Sequence, residues 1–264
     1  MRAFRLAYDG TGYRGFQRQP HGETVENALF SALASLGVVE NTPPRGYAAA
    51  GRTDAGVSAR AQTVAFVAPE WLTPRALNGE LPPDVRAWAH ADVDEGFHAT
   101  HDAIERRYRY FHYDLDLDDD VAETVCGRLS GTRSFHNLTP DDSGVERTIS
   151  VERYRDGAFL VVDCTAGGFP RQLVRRIVSL LVSVASGERP VEFVDRVLGP
   201  EPIDGPEGVA PAPPEPLVLL DVRYPEASFV VDERGRNSAR EVFGARRRER
   251  LAAARVADTI ADLR

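Results

Sequence analysis

The residues most able to do chemistry lie in one short stretch, Ala50-Gly51-Arg52-Thr53-Asp54-Ala55-Gly56-Val57-Ser58-Ala59. Glycines bracket an arginine and an aspartate there. Glycine permits close backbone approach and dihedrals that other residues avoid, so this loop can aim the Asp54 carboxylate into a cleft. The commoner use of such an aspartate is a turn in which it bonds its own backbone, and local chemistry alone favours that use. A second candidate is Arg175. Leu173, Val174, Ile177, Val178, Leu180, Leu181 and Val184 form a broad apolar arc on a helix predicted over Gln172–Ser186, and Arg175 falls at its edge. From an edge, the fork can reach a buried acid or the stem can snorkel to solvent. Both readings stay open. Tyr108 shares one face of a predicted strand, Arg106–Tyr113, with Tyr110 and His112, either as a stacking surface or as ordinary core.

The elements that must position these groups read as mixed α and β. Ala3–Tyr8 alternates as a strand, Thr24 caps a helix through Leu36, and Gly37 stops it. Tyr47–Ala50 and Gln62–Val67 are predicted strands around the Asp54 loop. A helix opening at Thr73-Pro74 and a strand at Val85–Ala91 follow. The second part offers a helix near Val121–Leu129, a hairpin of Ile149–Arg155 and Phe159–Thr165, a Pro-rich loop over Pro200–Pro216, and a last strand, Leu217–Tyr224. The expected division is 1–104, carrying the Asp54 loop, then 105–233, then an Arg-rich tail, 234–264, helical from Ala239.

Composition limits the possibilities further. The 264 residues hold 40 acidic and 32 basic side chains, for a net charge of −8, and none of the basic ones is lysine. An acidic chain argues at first against a nucleic-acid partner. Acid excess without lysine also fits a salt-rich cytoplasm, and the deficit is local: residues 111–170 carry 12 acidic against 5 basic side chains, centred on Asp114–Asp120. Such a run reads as a solvated loop. Arginines cluster at Arg106-Arg107, Arg175-Arg176 and Arg246–Arg248, where RNA could lie. The tail cluster reads equally well as a solvated helix face. Cys126 and Cys164 lack metal-ligand spacing, and of six histidines only His98 and His101 are close in sequence, which argues against a zinc site. No apolar run approaches the roughly 20 residues of a membrane span, and Met1–Leu6 is too short an apolar stretch for a secretory signal. The expected location is the cytoplasm.

Gly51-Arg52-Thr53-Asp54-Ala55-Gly56-Val57 resembles the signature of the TruA family of tRNA pseudouridine synthases. Tyr8 through Gln19 resembles the family's N-terminal strand and loop, and Phe97-His98-Ala99 with Arg106-Arg107-Tyr108-Arg109-Tyr110 resembles its next block. Ser134-Phe135, Phe169 through Val178, and Leu217-Val218-Leu219 follow in family order. The resemblance implies an α+β pseudouridine synthase fold with two antiparallel-sheet, RRM-like halves flanking a central RNA-binding cleft. It implies isomerisation of uridine to pseudouridine on the 3′ side of the tRNA anticodon stem-loop. The base leaves the sugar at N1, turns, and is rejoined through C5. Substrate and product are isomers, so no cofactor and no metal are expected. By the same resemblance Asp54 is the catalytic carboxylate, acting either by covalent attack or by removing the C2′ proton. Arg175 is its charge partner, Tyr108 stacks on the flipped base, Leu217 packs on the base's other side, and Arg52 helps open the stem-loop. A homodimer sharing one tRNA is implied as well.

The chain departs from the family's pattern at Phe16, where Trp is frequent, at Ser58, where His is usual, and at Thr100, where Arg follows the Phe-His-Ala triplet. The last two put RNA contacts in doubt rather than the Asp54 chemistry. Two rival classes remain: a non-catalytic RRM-like RNA-binding protein in which Asp54 is only a turn residue, and a carboxylate-dependent hydrolase.

Overall fold

The first strand, β1 (Arg2–Tyr8), follows the predicted alternation, with Phe4, Leu6 and Tyr8 in the main core. Its other face is covered too. Arg5 there donates to the Val222 carbonyl (2.6 Å) and Thr63 Oγ1 (3.1 Å), and its guanidinium lies 4.3 Å from the Phe229 ring centre. The structure is a computed structural model that describes residues 1–39, 43–203 and 205–262. The end of the expected tail, 263–264, lies outside the described residues, as does position 204 of the expected Pro-rich loop.

Along the chain, β1 leads to α1 (Val25–Ser35), β2 (Ala48–Ala49), β3 (Ser58–Phe66), α2 (Pro74–Glu80) and β4 (Val85–Asp92). Then come β5 (Glu105–Tyr113), α3 (Asp119–Leu129), β6 (Gly131–Ser134), β7 (Glu146–Asp156), β8 (Phe159–Ala166) and α4 (Leu173–Ala185). The chain closes with α5 (Glu192–Leu198), β9 (Leu217–Arg223), β10 (Val230–Val231) and α6 (Glu233–Ala261). Caps set the helix starts: Thr24 accepts from the Asn27 amide and Thr73 from the Ala76 amide. Asp118 accepts from the amides of Asp120 and Val121. The acidic run is therefore more than a solvated loop, since Asp118 caps α3 and Asp119 pairs with Arg155 at 2.9 Å.

Among the described residues, ten strands form one sheet in the order β10-β4-β1-β3-β9-β5-β8-β7-β6, with β2 paired to β3. The junction is a short parallel pairing of β3 with β9, Ser58 opposite Val218 and Ala59 opposite Leu219. β9 also runs antiparallel to β5. A strand from late in the chain thus joins the first part of the sheet to the second. Side chains of α1 and α2 share one apolar core with the strands around β1, and those of α3, α4 and α5 with the strands around β5. Both cysteines are buried in that core.

The tail is helical from Glu233, six residues earlier than the sequence reading placed it, because Asp232 caps the helix at the Gly235 amide. It is also not simply solvated. Arg246 (2.7 Å) and Arg250 both pair with the buried Asp9 at the end of β1. Short α5, four-residue β6 and two-residue β10 were not expected, being too brief to show a period. No helix among the described residues is long and apolar enough to cross a membrane.

Candidate active site

The Asp54 loop is held against the first loop of the chain by close backbone packing. The Phe16 amide donates to the Thr53 carbonyl (3.0 Å) and the Gly56 amide to the Tyr13 carbonyl (3.3 Å). Gly15, at φ +97°, and Gly10 make this approach possible. A Cβ on Gly10 would lie 2.0 Å from the Val57 carbonyl oxygen, and one on Gly15 2.9 Å from that of Thr53. Thr53 Oγ1 meets the Tyr8 hydroxyl at 2.8 Å beneath the loop. Ser58 works in the same contact, its Oγ accepting from the Gly10 amide at 3.1 Å. Asp54 does start a turn, its carbonyl accepting from the Val57 amide at 3.1 Å, but its side chain bonds no backbone group of that turn and meets a distant partner instead. Its Oδ2 accepts from Arg175 Nη1 at 3.0 Å, and its Oδ1 has no protein partner among the described residues. The Asp54 side chain is 31% exposed, enough to meet a substrate, while that of Arg175 is only 13% exposed.

Arg175 therefore reaches the acid and does not snorkel. Its Nε donates to the Ala212 carbonyl (2.7 Å), and the Ala212 amide donates back to the Arg175 carbonyl (3.1 Å). The Pro-rich loop thus fixes the fork, a role with no sequence signal because the acceptor is a backbone carbonyl. Asp54, Arg175, Tyr108, Leu217 and Arg52 all line one cleft of about 810 Å3, between Glu26 and Phe30 of α1 on one side and Leu173–Arg175 of α4 on the other. That volume lies within the roughly 300–1,000 Å3 usual for small-ligand sites. Leu217 and Tyr108 are buried, and Phe169 stands edge-on to the Tyr108 ring at 5.3 Å. Burial pushes the Tyr108 hydroxyl up to about 12, with Arg106 pulling it down and Asp54 adding to the rise. The phenol is therefore protonated at neutral pH, and its oxygen bonds no protein group among the described residues. Arg52 is exposed at the rim, free of hydrogen bonds and ion pairs among the described residues.

Most arginines of the other clusters are committed within the protein. Arg107 and Arg109 both hold the buried Asp163. Arg176 donates to the Val209 carbonyl at 2.6 Å. Arg106 is buried and bonds only backbone carbonyls. The expectation that these arginines lie free for RNA is thus corrected for Arg106, Arg107 and Arg176: Arg106 and Arg176 are buried or half-buried and take nearby carbonyls, and the exposed Arg107 is drawn to the buried Asp163 carboxylate, which needs a partner. Among the described residues, no group of three or more His, Cys, Asp or Glu side chains is placed to hold a metal.

A carboxylate clamped to an arginine in a cleft beside a buried tyrosine suits chemistry on a flat, neutral ring held out of its stack. The family model for tRNA pseudouridine synthase matches residues 125–225, the stretch that supplies Arg175 and Leu217. A tRNA pseudouridine synthase A of Natronomonas pharaonis is 65% identical over 263 residues, covering 98% of this chain and 98% of its own length. The corresponding protein of Haloarcula marismortui is 59% identical and covers 99% of each chain. The chain belongs to the tRNA pseudouridine synthase A family. Relatives in such halophilic archaea, Halobacterium salinarum among them at 53% identity, fit the acidic, lysine-free composition.

Proposed function

We propose that Asp54 is the carboxylate with which this tRNA pseudouridine synthase isomerises uridine to pseudouridine, and that its targets lie on the 3′ side of the anticodon stem-loop. The observation that carries the role is the pairing of Asp54 Oδ2 with Arg175 while Oδ1 stays free in the cleft. Arg175 holds the carboxylate in place with one oxygen turned to the cleft. The free oxygen then attacks C1′ of the flipped nucleotide or removes its C2′ proton, and the uracil leaves at N1. Tyr108 and Leu217 form the two sides of the slot that hold the detached base while it turns to present C5, and Arg52 at the rim offsets part of the cost of unstacking it. Bond formation between C1′ and C5 displaces the Asp54 carboxylate in the covalent route, or is matched by return of the proton to C2′ in the other. The proton lost from C5 is balanced by one gained at N1, so the sum of the reaction is an isomerisation.

Residues 1–104 and 105–233 act as two RRM-like halves around this cleft, with 234–264 as an appended arm. The antiparallel β4-β1-β3 and β5-β8-β7 groups, each with its own helices, support that division. The working form is a homodimer in the cytoplasm. Phe111 and Tyr113 each meet Phe159 edge to face, and all three remain exposed, an apolar patch of the kind a second chain covers. Sedimentation at working concentration checks the copy number, and a monomer would remove that part of the reading.

The test of the reaction is Asp54→Asn assayed on tRNA transcripts. Pseudouridine formation should fall by about 10³-fold or more with tRNA binding and thermal stability kept. Full activity in Asp54→Asn would remove the assignment. A native protein that binds tRNA and forms no pseudouridine would be a binding module, and release of free uracil would mark a hydrolase.

A further inference from the structure

Arg106 is the most fully committed cation in the cleft, and the commitment is unusual. It lies on β5 just before the register shift between Arg107 and Tyr108, and it is 7% exposed. Among the described residues it has no carboxylate partner. Its Nε and Nη2 both donate to the Ala50 carbonyl (2.9 and 2.7 Å), and Nη2 also donates to that of Thr100 (2.6 Å). Nη1 donates to the carbonyls of Gly167 and, at 3.5 Å, Ala103. A guanidinium has five N–H donors, and all five are used. None is left for a phosphate, so Arg106 lines the cleft without being an RNA contact.

A buried, unpaired charge is costly unless every donor is matched, and an apolar side chain would fill the same space more cheaply. What the guanidinium adds is connection. Ala50 begins the Asp54 loop. Thr100 and Ala103 belong to the turn after β4. Gly167 stands two residues before Phe169, which backs the Tyr108 ring, and begins the segment leading to α4 and Arg175. Thr100 closes the remaining side, its Oγ1 donating to the Ala49 carbonyl at 2.5 Å. Thr100 is one of the positions where the chain departs from its family's pattern, and the structure gives it this tie.

We infer that Arg106 is a positioning residue that locks the Asp54 loop, the 98–103 turn and the entry to α4 into one rigid frame, with Thr100 as its auxiliary, so that Asp54, Arg175 and Tyr108 keep their separations during the reaction. This rests on Asp54 being the reacting carboxylate. Arg106→Lys keeps the charge but cannot bridge Ala50 and Gly167 from a single nitrogen. Its kcat should fall about 30- to 100-fold, the scale of a displacement near 1 Å, while KM for tRNA stays within about threefold, both measured well below its melting temperature. Thr100→Val, which leaves Arg106 in place, should lose about three- to tenfold in kcat at unchanged KM. A kcat within threefold of the native value in folded Arg106→Lys would make the residue purely structural and overturn the inference. A raised KM with kcat kept would make it an RNA contact and overturn it equally. Should Arg106→Lys fail to fold, Thr100→Val decides, and an unchanged kcat there overturns the inference. Asp54→Asn keeps the two readings apart. If it is active, the carboxylate role fails whatever Arg106 does, and if it is inactive beside a fully active Arg106→Lys, only the frame fails.

Discussion

Tyr108 and Asp54 share a cleft, but their environments differ. Asp54 is partly open and paired, whereas burial raises the Tyr108 phenol to about 12. Its hydroxyl keeps its proton across any ordinary assay range, so no loss of activity below about pH 10 should trace to Tyr108. The same hydroxyl bonds no protein group among the described residues, which makes Tyr108→Phe a clean deletion. If that oxygen handles the C5 proton, Tyr108→Phe should lower kcat by about 10²–10⁴-fold with KM for tRNA nearly unchanged, because the ring still stacks. A Tyr108→Phe enzyme with near-native kcat would leave Tyr108 as a stacking surface only. At this scale, the family resemblance pointed to Asp54 where local residue types favoured a plain turn, and a helical wheel put Arg175 at the edge from which it meets that acid. Arg106 was misread as an RNA-facing charge. Its partners are carbonyls of residues 50, 100, 103 and 167, and no pattern of side chains along a sequence marks an acceptor that every residue possesses.

The start of α6 packs on β4 and α2, and its middle is tied to the end of β1 through one acid. Asp9 accepts from the Thr11 amide (3.1 Å) and hydroxyl (2.7 Å), from Arg246 (2.7 Å) and from Arg250. Burial pushes its carboxyl up, but the bonds from Thr11 and Arg246 and the charge of Arg250 outweigh that, and the net shift is downward. A depressed carboxylate stabilises the fold fully above its unfolded value, near 3.9, and the contribution is lost as pH falls through the lower folded value. Acidifying from about pH 5 toward about pH 3 should therefore loosen α6 in the native chain, seen as faster amide exchange around Arg246–Arg250, and change little in Asp9→Asn. At neutral pH, Asp9→Asn should cost about 1–2 kcal/mol, a drop of a few degrees in Tm. Equal exchange in the two proteins at neutral pH would show that the helix is held by its apolar contacts alone. Long helices with clear caps were legible to within a few residues. The docking was not, because a run of arginines looks the same whether it faces water or a distant aspartate.

Over the whole molecule, a net charge of −8 goes with an RNA substrate, and most of the arginines lining the cleft are engaged within the protein. Of those lining the cleft, Arg106 and Arg175 are occupied within the protein, Arg171 pairs with Asp141 at 2.5 Å, Arg147 donates to the Glu146 carbonyl at 2.7 Å, Arg18 lies over the Phe30 ring at 5.0 Å, and Arg52 has no hydrogen bond or ion pair among the described residues. With about three phosphate contacts, the logarithm of affinity should fall with that of salt at a slope of roughly −2 to −3, and a slope steeper than about −5 would show a larger basic surface at work. The α+β class was readable from periodicity. The single sheet was not, because the pairing of β9 with β3 joins residues some 160 positions apart, and nothing local in either strand announces it. That pairing has a consequence for synthesis. As the chain leaves the ribosome, the Asp54 loop emerges early, but Leu217 and the strand that closes the sheet beside β3 emerge almost last. Until then β3 has an unpaired edge and the Asp54 loop faces an open gap. An interrupted product of translation would carry Asp54 in a cleft that still lacks Leu217 and the wall it supplies, an assembly order that completes the site only once nearly the whole chain is made.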